Sequence, residues 1–370
     1  MQGASGVLSP SIGRIPGRGI PSGHRQFRLV VKAIVYSTTG PSSVLSLVDR
    51  DVATPGPGEV RVRIVASGVN PTDWKARADG DLPFPEVVPN QDGAGVVDAV
   101  GEGVTEPQVG DRVWIYLAAH GRPTGTAQEF TVIPAERAVR LPDGVDLDVA
   151  ASLGVPAMTA HRALTVHEQG PSRLAPGALE GRTVLVQGGA GAVGHAAIQL
   201  AAWAGATVIA TVSSDAKADL GLAAGAHHVL RYPDDSLARQ IREVAPGGVD
   251  HVVEVSPGQN AALDVEVIAN HGSIAYYANN NGDDFTAPVV ASFAKNVRWQ
   301  GLLLYTVGRD ALVAAAEDIT AALSSGALPV GEAAGLPLSW FPLEETGAAH
   351  DAVENGATGK VVIRVSDEVS

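Results

Sequence analysis

Short apolar runs separated by Gly and Pro fill the first third of the chain. They lie at 32–37, 59–65, 95–100, 111–116 and 128–133, and several of them alternate apolar with polar residues. Alternation with a period of two between turn residues is typical of short antiparallel strands. This pattern predicts a barrel-like β domain.

After Pro142 the pattern changes to helices, and then to strands that alternate with helices. The predicted helices are 147–153, 157–166 and 195–204, and the predicted strands are 183–186, 207–212, 249–255, 272–277 and 297–304. Such alternation is typical of a doubly wound parallel sheet. A last strand, 359–365, is expected to rejoin the first domain.

A glycine-rich turn, VLVQGGAGAVG at 184–194, stands between a predicted strand and a predicted helix. Gly189, Gly191 and Gly194 fit the G-x-G-x-x-G pattern of dinucleotide-binding crossovers. In that pattern the first glycine allows a tight turn, the second lets the backbone approach a pyrophosphate, and the third lets helix and strand pack closely. The N–H groups at the helix start can bind the phosphates. The predicted cofactor-binding residues here are Gly189, Ala190, Gly191, Ala192, Val193 and Gly194.

The tip of the next strand indicates which dinucleotide would bind. NAD sites usually carry an Asp or Glu there for the ribose 2′-hydroxyl. This chain has Ser213 and Ser214 instead, followed by Lys217, and these residues suit the 2′-phosphate of NADPH. An alternative is that the two serines only cap the helix that begins near Asp215. Asp215 itself argues for NAD, but it lies past the strand tip.

Composition narrows the class of protein. With 370 residues, two domains are expected, and 45% hydrophobic with 18% charged residues is typical of a globular protein. A net charge of −14 argues against binding to nucleic acid. The absence of cysteine excludes disulfides, thiolate nucleophiles and cysteine-ligated zinc. No apolar segment is long enough without interruption to predict a membrane span.

The first 30 residues differ from the rest of the chain. They contain arginines, no Asp or Glu, and many Gly, Ser and Pro residues without a hydrophobic period. We predict that residues 1–30 are a disordered extension, either without function or acting as a targeting segment.

Several motifs together resemble one family. In chain order they are GVNPTD at 68–73, PNQDGAG at 89–95, VGDRV at 109–113, GVPAMTA at 154–160, the turn at 184–194, GA at 225–226 and GKVV at 359–362. On these residues the chain resembles the medium-chain dehydrogenase/reductases. Within them it is similar to the zinc-independent quinone oxidoreductases, the group of zeta-crystallin and the 2-alkenal reductases.

The resemblance implies an α/β fold with two domains. A GroES-like β-barrel catalytic domain would comprise 31–153 and 305–370, and a Rossmann domain with a doubly wound parallel sheet would comprise 154–304 and bind NADPH. In zinc-dependent relatives a cysteine stands at the position of Asn70, and Gly-His-Glu stands at Asn90, Gln91 and Asp92. Because the cysteine and histidine ligands are missing, the resemblance implies that the chain holds no metal.

Two catalytic residues follow from the resemblance. Asn70 is expected to position the substrate or the nicotinamide, the alternative being a turn residue before Pro71. Lys75 stands where zeta-crystallin-like enzymes have a tyrosine and resembles a lysine of alkenal reductases. It would polarise a carbonyl or contact the cofactor, the alternative being a solvated surface lysine. Asp73 and Asp92 are interpreted as structural, Asp73 capping a helix and Asp92 stabilising a turn, the alternative for Asp92 being a catalytic role.

Further cofactor contacts are carried over from the family. Tyr232 matches a tyrosine near the adenosine phosphate. Thr159 matches a residue near the nicotinamide ribose, the alternative being that it only caps its helix. Ser256 follows a strand whose C-terminal end should face the cofactor. Lys360 belongs to the GKVV motif and is also predicted to contact the cofactor.

The expected reaction is NADPH-dependent reduction of quinones or α,β-unsaturated carbonyls by hydride transfer. The alternatives are an enoyl-thioester reductase of the same superfamily, a non-enzymatic NADPH-binding protein of the crystallin type, and a binder of AU-rich RNA. We expect a cytoplasmic homodimer or tetramer whose partner is a small electrophilic carbonyl or quinone, with no nucleic acid or membrane partner.

Overall fold

The computed structural model of the protein describes residues 30–279, 282 and 284–367. The predicted extension at 1–30, apart from Val30, therefore lies outside the described residues. None of the helices in the described ranges is long and apolar enough to cross a membrane.

The elements follow the chain in three groups. The first group contains β1 (Val30–Val35), β2 (Ser46–Asp51), β3 (Glu59–Val69), α1 (Pro71–Ala78), β4 (Asp92–Val100), β5 (Arg112–Ile115), β6 (Phe130–Pro134), β7 (Ala138–Arg140), α2 (Leu147–Ala150) and α3 (Gly154–Thr165). The second contains β8 (Thr183–Gln187), α4 (Ala192–Trp203), β9 (Thr207–Val212), α5 (Asp215–Ala223), β10 (His228–Arg231), α6 (Leu237–Val244), β11 (Val249–Glu254), α7 (Pro257–Val267), β12 (Ile268–Tyr276), α8 (Val289–Ala294), β13 (Arg298–Gly301) and α9 (Arg309–Ser324). The third contains β14 (Leu338–Pro342), α10 (Thr346–Glu354) and β15 (Lys360–Arg364).

The long strand β3 is the centre of a mostly antiparallel sheet, in which β14 and β15 pair in parallel. It pairs with β4, β6 and β15, and the sheet order is β14-β15-β3-β4-β5-β7. Val60, Val62 and Ile64 alternate into a hydrophobic core, as a period of two requires. The predicted return of the C-terminal strand to the first domain is confirmed by the pairing of β15 with β3.

The second sheet is parallel throughout and has the order β10-β9-β8-β11-β12-β13. The order reverses between β8 and β11, and in open α/β sheets a ligand binds at the carboxyl ends of the strands at such a switch point. Together the two sheets confirm the predicted fold class.

Several boundaries in and around this sheet differ from prediction, among them those of one strand and one helix. The strand predicted at 297–304 is shorter, because its partner β12 ends at Tyr276, which pairs with Gly301. Beyond Gly301 the chain has no β12 residue left to pair with, and it forms a short 3-10 helix at Leu304–Thr306. Helix α4 begins at Ala192 rather than at the predicted residue 195.

The largest hydrophobic cluster joins the helices to the parallel sheet. It brings α3, α4 and α9 together with β8 and β9. The alanines of α4 allow close packing because their side chains are small. Helix α9 lies within the predicted catalytic segment 305–370, yet it packs on α3. The domain boundaries stay a prediction.

Candidate functional site

The glycine-rich turn joins β8 to α4. Gly188 has a φ of +71°, in the left-handed region that favours glycine, so the tight turn lies at Gly188 and not, as predicted, at Gly189. Gly194 packs closely as expected, since a Cβ there would lie 2.4 Å from the Gly188 carbonyl oxygen. The first N–H groups of α4 have no acceptor within the helix and can bind an anion at this turn.

A pocket of about 110 Å³ opens beside this turn. It is lined by Gly188, Ala190, Gly191, Val212, Ser213, Lys217, Tyr232, Gly356, Ala357 and Thr358. The structure thus brings together the predicted cofactor residues Ala190, Gly191, Ser213, Lys217 and Tyr232. Gly189, Ala192, Val193 and Gly194 belong to the same turn and to the start of α4.

The charges around the pocket suit a phosphate group. Lys217 Nζ donates a hydrogen bond of 3.3 Å to Ser213 Oγ. None of the described residues that line the pocket carries a carboxylate. Asp215, which argued for NAD, forms an exposed ion pair with Arg231. A cation and a hydroxyl therefore face the pocket, while the nearby acidic group has its own counterion.

Ser214 has a structural role at the same strand tip. Its hydroxyl oxygen accepts a hydrogen bond of 3.3 Å from the Lys217 backbone N–H, so Ser214 caps α5. The capping interpretation therefore holds for Ser214, while Ser213 lines the pocket.

One wall of the pocket comes from the far end of the chain. The 356–358 loop lines it, and Gly359 forms a β-bridge with Gly191 of the glycine-rich turn. Sequence reasoning missed this loop as a cofactor wall. The GKVV motif at 359–362 was the available signal, because it directly follows the loop.

Asn70, Asp92 and Lys360 form a buried hydrogen-bonded network. Asn70 Nδ2 donates to Asp92 Oδ2 at 2.6 Å, and Lys360 Nζ donates to Asn70 Oδ1 at 2.6 Å and to Asp92 Oδ2 at 3.2 Å. Each of these side chains is at most 2% exposed. Since a buried charge is costly unless it is paired, the ammonium of Lys360 and the carboxylate of Asp92 stabilise each other.

Asp92 also anchors the start of α3. Its Oδ1 accepts a hydrogen bond of 2.8 Å from the Val155 backbone N–H. A Cβ on Gly154 would lie 2.0 Å from Asp92 Oδ1, so only glycine permits this approach. The prediction that Asp92 stabilises the fold agrees with these contacts.

The network limits what Asn70 and Lys360 can still bind. The bonds described above use one of the two side-chain N–H groups of Asn70 and two of the three ammonium N–H groups of Lys360. Each residue therefore has one N–H left to donate. Lys360 Nζ lies in the network rather than on the wall of the pocket at the turn. The catalytic role of Asn70 and the cofactor contact of Lys360 stay predictions.

The helix α1 carries two more residues of interest. Asp73 Oδ2 accepts a hydrogen bond of 2.7 Å from the Asn70 backbone N–H, which confirms its capping role. Burial and then the charge of Asp92 raise the pKa of Asp73 to about 7, although the Asn70 N–H and Lys360 act in the opposite direction. Lys75 is exposed, and its Nζ lies 5.7 Å from the centroid of the Trp74 ring. Its catalytic role stays a prediction.

Tyr305 lies near α1, and sequence reasoning missed it. Its ring lies 5.2 Å, between centroids, from the ring of His120 in the β domain. Burial and then the negative charge of Asp73 raise the pKa of the Tyr305 hydroxyl, and the Thr72 side chain lowers it in part. The hydroxyl therefore stays protonated and can act as a donor where the parallel sheet meets α1. An aromatic residue after an apolar strand resembles any core residue, so no sequence signal marks it.

A second cavity of about 590 Å³ lies at the carboxyl ends of β11, β12 and β13. Its apolar lining includes Pro257, Tyr276, Tyr277 and Leu302. Ser256 directly precedes Pro257 and is the buried N-cap residue of α7. Thr159 is buried within α3. The two cavities flank the switch point, the smaller on the β9 side and the larger on the β12 side.

The chain is similar to proteins of known sequence and structure along most of its length. The model of the alcohol dehydrogenase GroES-like domain matches residues 56–143, and that of the zinc-binding dehydrogenase matches residues 192–321. The 2-haloacrylate reductase of a Burkholderia species is 30% identical over 348 residues, which cover 90% of this chain and 99% of the relative. The chain belongs to the medium-chain dehydrogenase/reductase family.

Two further comparisons refine the position within the medium-chain dehydrogenase/reductases. The quinone oxidoreductase of Lama guanicoe is 29% identical over 341 residues, covering 90% of this chain and 97% of the relative. The structure of mycobacterial Rv1454c complexed with NADPH is 31% identical, has a TM-score of 0.75, and is matched over 90% of this chain and 99% of that one. The predicted assignment to the oxidoreductases of the quinone oxidoreductase group is confirmed.

The positions that hold zinc in other medium-chain dehydrogenase/reductases are occupied differently here. Asn70 and Asp92 bind Lys360, and Gln91 Oε1 accepts a hydrogen bond of 3.1 Å from the Ala119 N–H. Within 30–279, 282 and 284–367, no group of three His, Cys, Asp or Glu residues is placed to hold a metal. The zinc in the name of one family model thus has no matching ligand set in the described residues.

Proposed function

We propose that this protein reduces quinones or α,β-unsaturated carbonyl compounds with NADPH and without zinc. The observation that carries the proposal is the pocket at the glycine-rich turn, where Ser213, Lys217 and Tyr232 meet and none of the described lining residues is acidic. The names of the relatives, quinone oxidoreductase and 2-haloacrylate reductase, support this substrate class.

NADPH fits the residues at the switch point. Lys217 and Ser213 would bind the 2′-phosphate, and the N–H groups at the start of α4 would bind the pyrophosphate. The pocket of about 110 Å³ suits the phosphate end only, so the nicotinamide half would extend across the turn toward the cavity of about 590 Å³. When bound, NADPH supplies the hydride. The NADPH complex of the mycobacterial relative supports this choice of cofactor.

Side chains on and around α1 would supply donors for the substrate. When an enone or a quinone accepts a hydride, negative charge develops on its carbonyl oxygen and needs a hydrogen-bond donor. The free N–H of Asn70, the ammonium of Lys75 and the protonated hydroxyl of Tyr305 are candidates for this donor. The network with Asp92 and Lys360 would hold Asn70 in one orientation, which reduces the reorganisation needed during the reaction.

Zinc independence is supported by the charge at the position of the lost ligands. A buried ammonium, Lys360 Nζ, lies 2.6 Å from Asn70 Oδ1. A divalent cation bound to Asn70 and Asp92 would meet this positive charge at short range in a medium of low dielectric constant. The chain's own cation therefore occupies the role that a metal would otherwise have in balancing Asp92.

The experiment that tests the proposal measures NADPH oxidation by the purified protein. The substrates compared are a small quinone, a 2-alkenal, a 2-haloacrylate and a crotonyl thioester. Turnover of any of the first three supports the proposal. Turnover confined to the thioester favours the enoyl-thioester reductase, and tight NADPH binding without turnover favours the non-enzymatic alternative.

We also propose that the protein forms a homodimer through the edge of the parallel sheet. Val289 and Val290 are each 70% exposed and Phe293 is 66% exposed, although all three are large and apolar. They lie on α8, next in sequence to β13, the edge strand. An apolar face beside an open strand edge is unfavourable in water and is suited to covering by a second copy. The cytoplasmic location stays a prediction.

A further inference from the structure

Two carboxyl side chains lie against each other beneath the glycine-rich turn. Glu254 ends β11 and Asp264 lies in α7, and both are 0% exposed. Asp264 Oδ1 accepts a hydrogen bond of 2.9 Å from Gln187 Nε2. Asp264 Oδ2, by contrast, is buried without any donor group among the described residues, and the carboxyl of Asp264 contacts that of Glu254.

Two ionised carboxylates in contact would repel each other strongly in this interior. A proton shared by the two carboxyls removes the repulsion and allows a hydrogen bond between Asp264 Oδ2 and Glu254. Burial raises the pKa of both groups, and the charge of Glu254 raises that of Asp264 further. Glu254 is the better site for the negative charge, because it accepts bonds from the Ser256 N–H and from Asn260 Nδ2, the latter at 3.1 Å.

Uncharged groups supply the hydrogen bonds to the pair. The neighbours Gln187 of β8 and Asn260 of α7 are uncharged. Tyr277, at the end of β12, is the other titratable group that faces Glu254, and burial together with Glu254 raises its pKa. In the described part of the chain, the largest influences on the pKa of Glu254 and Asp264 are burial, the contact between the two carboxyls and hydrogen bonds from uncharged donors.

A chain of hydrogen bonds connects the pair to the turn. The Thr211 hydroxyl donates to Gln187 Oε1, and the Gly189 N–H donates to the Thr211 carbonyl at 3.0 Å. On the other side, Val255 packs against Gly188, where an added Cβ would lie 3.0 Å from Val255 Cγ1. The pair thus ties the ends of β8, β9 and β11 together at the switch point.

We propose that Glu254 and Asp264 share one proton and act as a positioning pair that holds the glycine-rich turn and the 255–256 segment for the cofactor. The positioning part rests on the proposed binding of NADPH. Asp264→Asn mimics the protonated acid, because its amide can donate to Glu254 while its oxygen accepts from Gln187. Asp264→Leu breaks both contacts.

The first experiment measures the shared proton through the pH dependence of unfolding. Both carboxyls are ionised in the unfolded chain above about pH 4.3, whereas the native pair keeps one proton. Because the native state then binds more protons, native stability falls as the pH rises toward the raised pKa of the pair. Relative to Asp264→Asn, the unfolding constant of the wild type should rise about tenfold per pH unit from about pH 5 up to the raised pKa of the pair.

The control for this slope is Asp250→Asn on the same strand. Asp250 pairs with Arg182 rather than with another carboxyl, its Oδ1 lying 2.8 Å from Arg182 Nη1. Asp250→Asn should therefore show the same dependence of the unfolding constant on pH as the wild type. Parallel pH curves for wild type and Asp264→Asn would overturn the shared proton.

The second experiment measures the dissociation constant of NADPH. We expect Asp264→Leu to weaken binding by about tenfold or more, and Asp264→Asn to recover most of that loss. If Asp264→Leu does not fold, Gln187→Met interrupts the same chain of bonds and gives the same readout. Wild-type affinity in Asp264→Leu, or in Gln187→Met where Asp264→Leu does not fold, would overturn the positioning role. If the wild type does not bind NADPH, the proposed function and the positioning role both fail, while the pH slope still decides the shared proton.

Discussion

Replacing Lys217 by alanine tests the choice of cofactor most directly. The change removes the positive charge of the pocket at the turn. It keeps the backbone N–H of residue 217, which donates a hydrogen bond to Ser214 Oγ at the start of α5, so α5 should be unaffected. We therefore expect a weaker affinity for NADPH and an almost unchanged affinity for NADH, which has no 2′-phosphate.

The size of the effect follows from the exposure of the site. A hydrogen bond to a charged group contributes about 1.5 to 3 kcal/mol when it is well formed. Lys217 is only half-buried and Ser213 is exposed, so the lower end of this range applies. A loss of about 1.5 to 2 kcal/mol corresponds to a dissociation constant about 10 to 30 times larger.

The assay is a fluorescence titration of both cofactors at low and high salt. The wild-type preference for NADPH should shrink at high salt, because screening weakens an exposed ionic contact. Lys217→Arg should retain part of the affinity. Lys32→Ala is the control for net charge, since Lys32 pairs with Glu344 on the surface at 3.2 Å. Equal weakening of NADPH and NADH by Lys217→Ala would refute the reasoning and make Lys217 structural.

Other substitutions test the remaining roles. Lys75→Ala should lower kcat and kcat/KM together by about tenfold to a thousandfold with unchanged NADPH affinity, and full activity would leave Lys75 a surface residue. Lys360→Met should cost about 3 to 5 kcal/mol in the free energy of unfolding, because Asp92 loses its buried counterion, and a denaturant titration with no loss would contradict the network. Phe293→Lys should convert a dimer to a monomer in sedimentation experiments, whereas an unchanged mass would reject the proposed interface. Elemental analysis should find no stoichiometric zinc, and activity lost on chelation would contradict this.

Local sequence patterns predicted most of the elements that carry the site. β9 has the predicted bounds, Thr207–Val212, because an apolar run next to a turn defines a buried strand without reference to the rest of the chain. The absence of a carboxylate at the tip of β9, at residues 213 and 214, was also visible in the sequence, and Ser213 and Lys217 do line one pocket. Even so, the tight turn was assigned to Gly189 instead of Gly188, because adjacent glycines look alike in a one-dimensional pattern.

The partners of the buried polar groups were decided only by the tertiary structure. Asn70 and Lys360 are 290 positions apart in sequence, yet they form a 2.6 Å hydrogen bond. The proximity of Tyr305 to α1 and the contact between Glu254 and Asp264 depend in the same way on how separate segments pack. A sequence shows which side chains need a partner, because burial and charge follow from local pattern and residue type. It does not show which distant segment supplies that partner, since this depends on the packing of the whole chain.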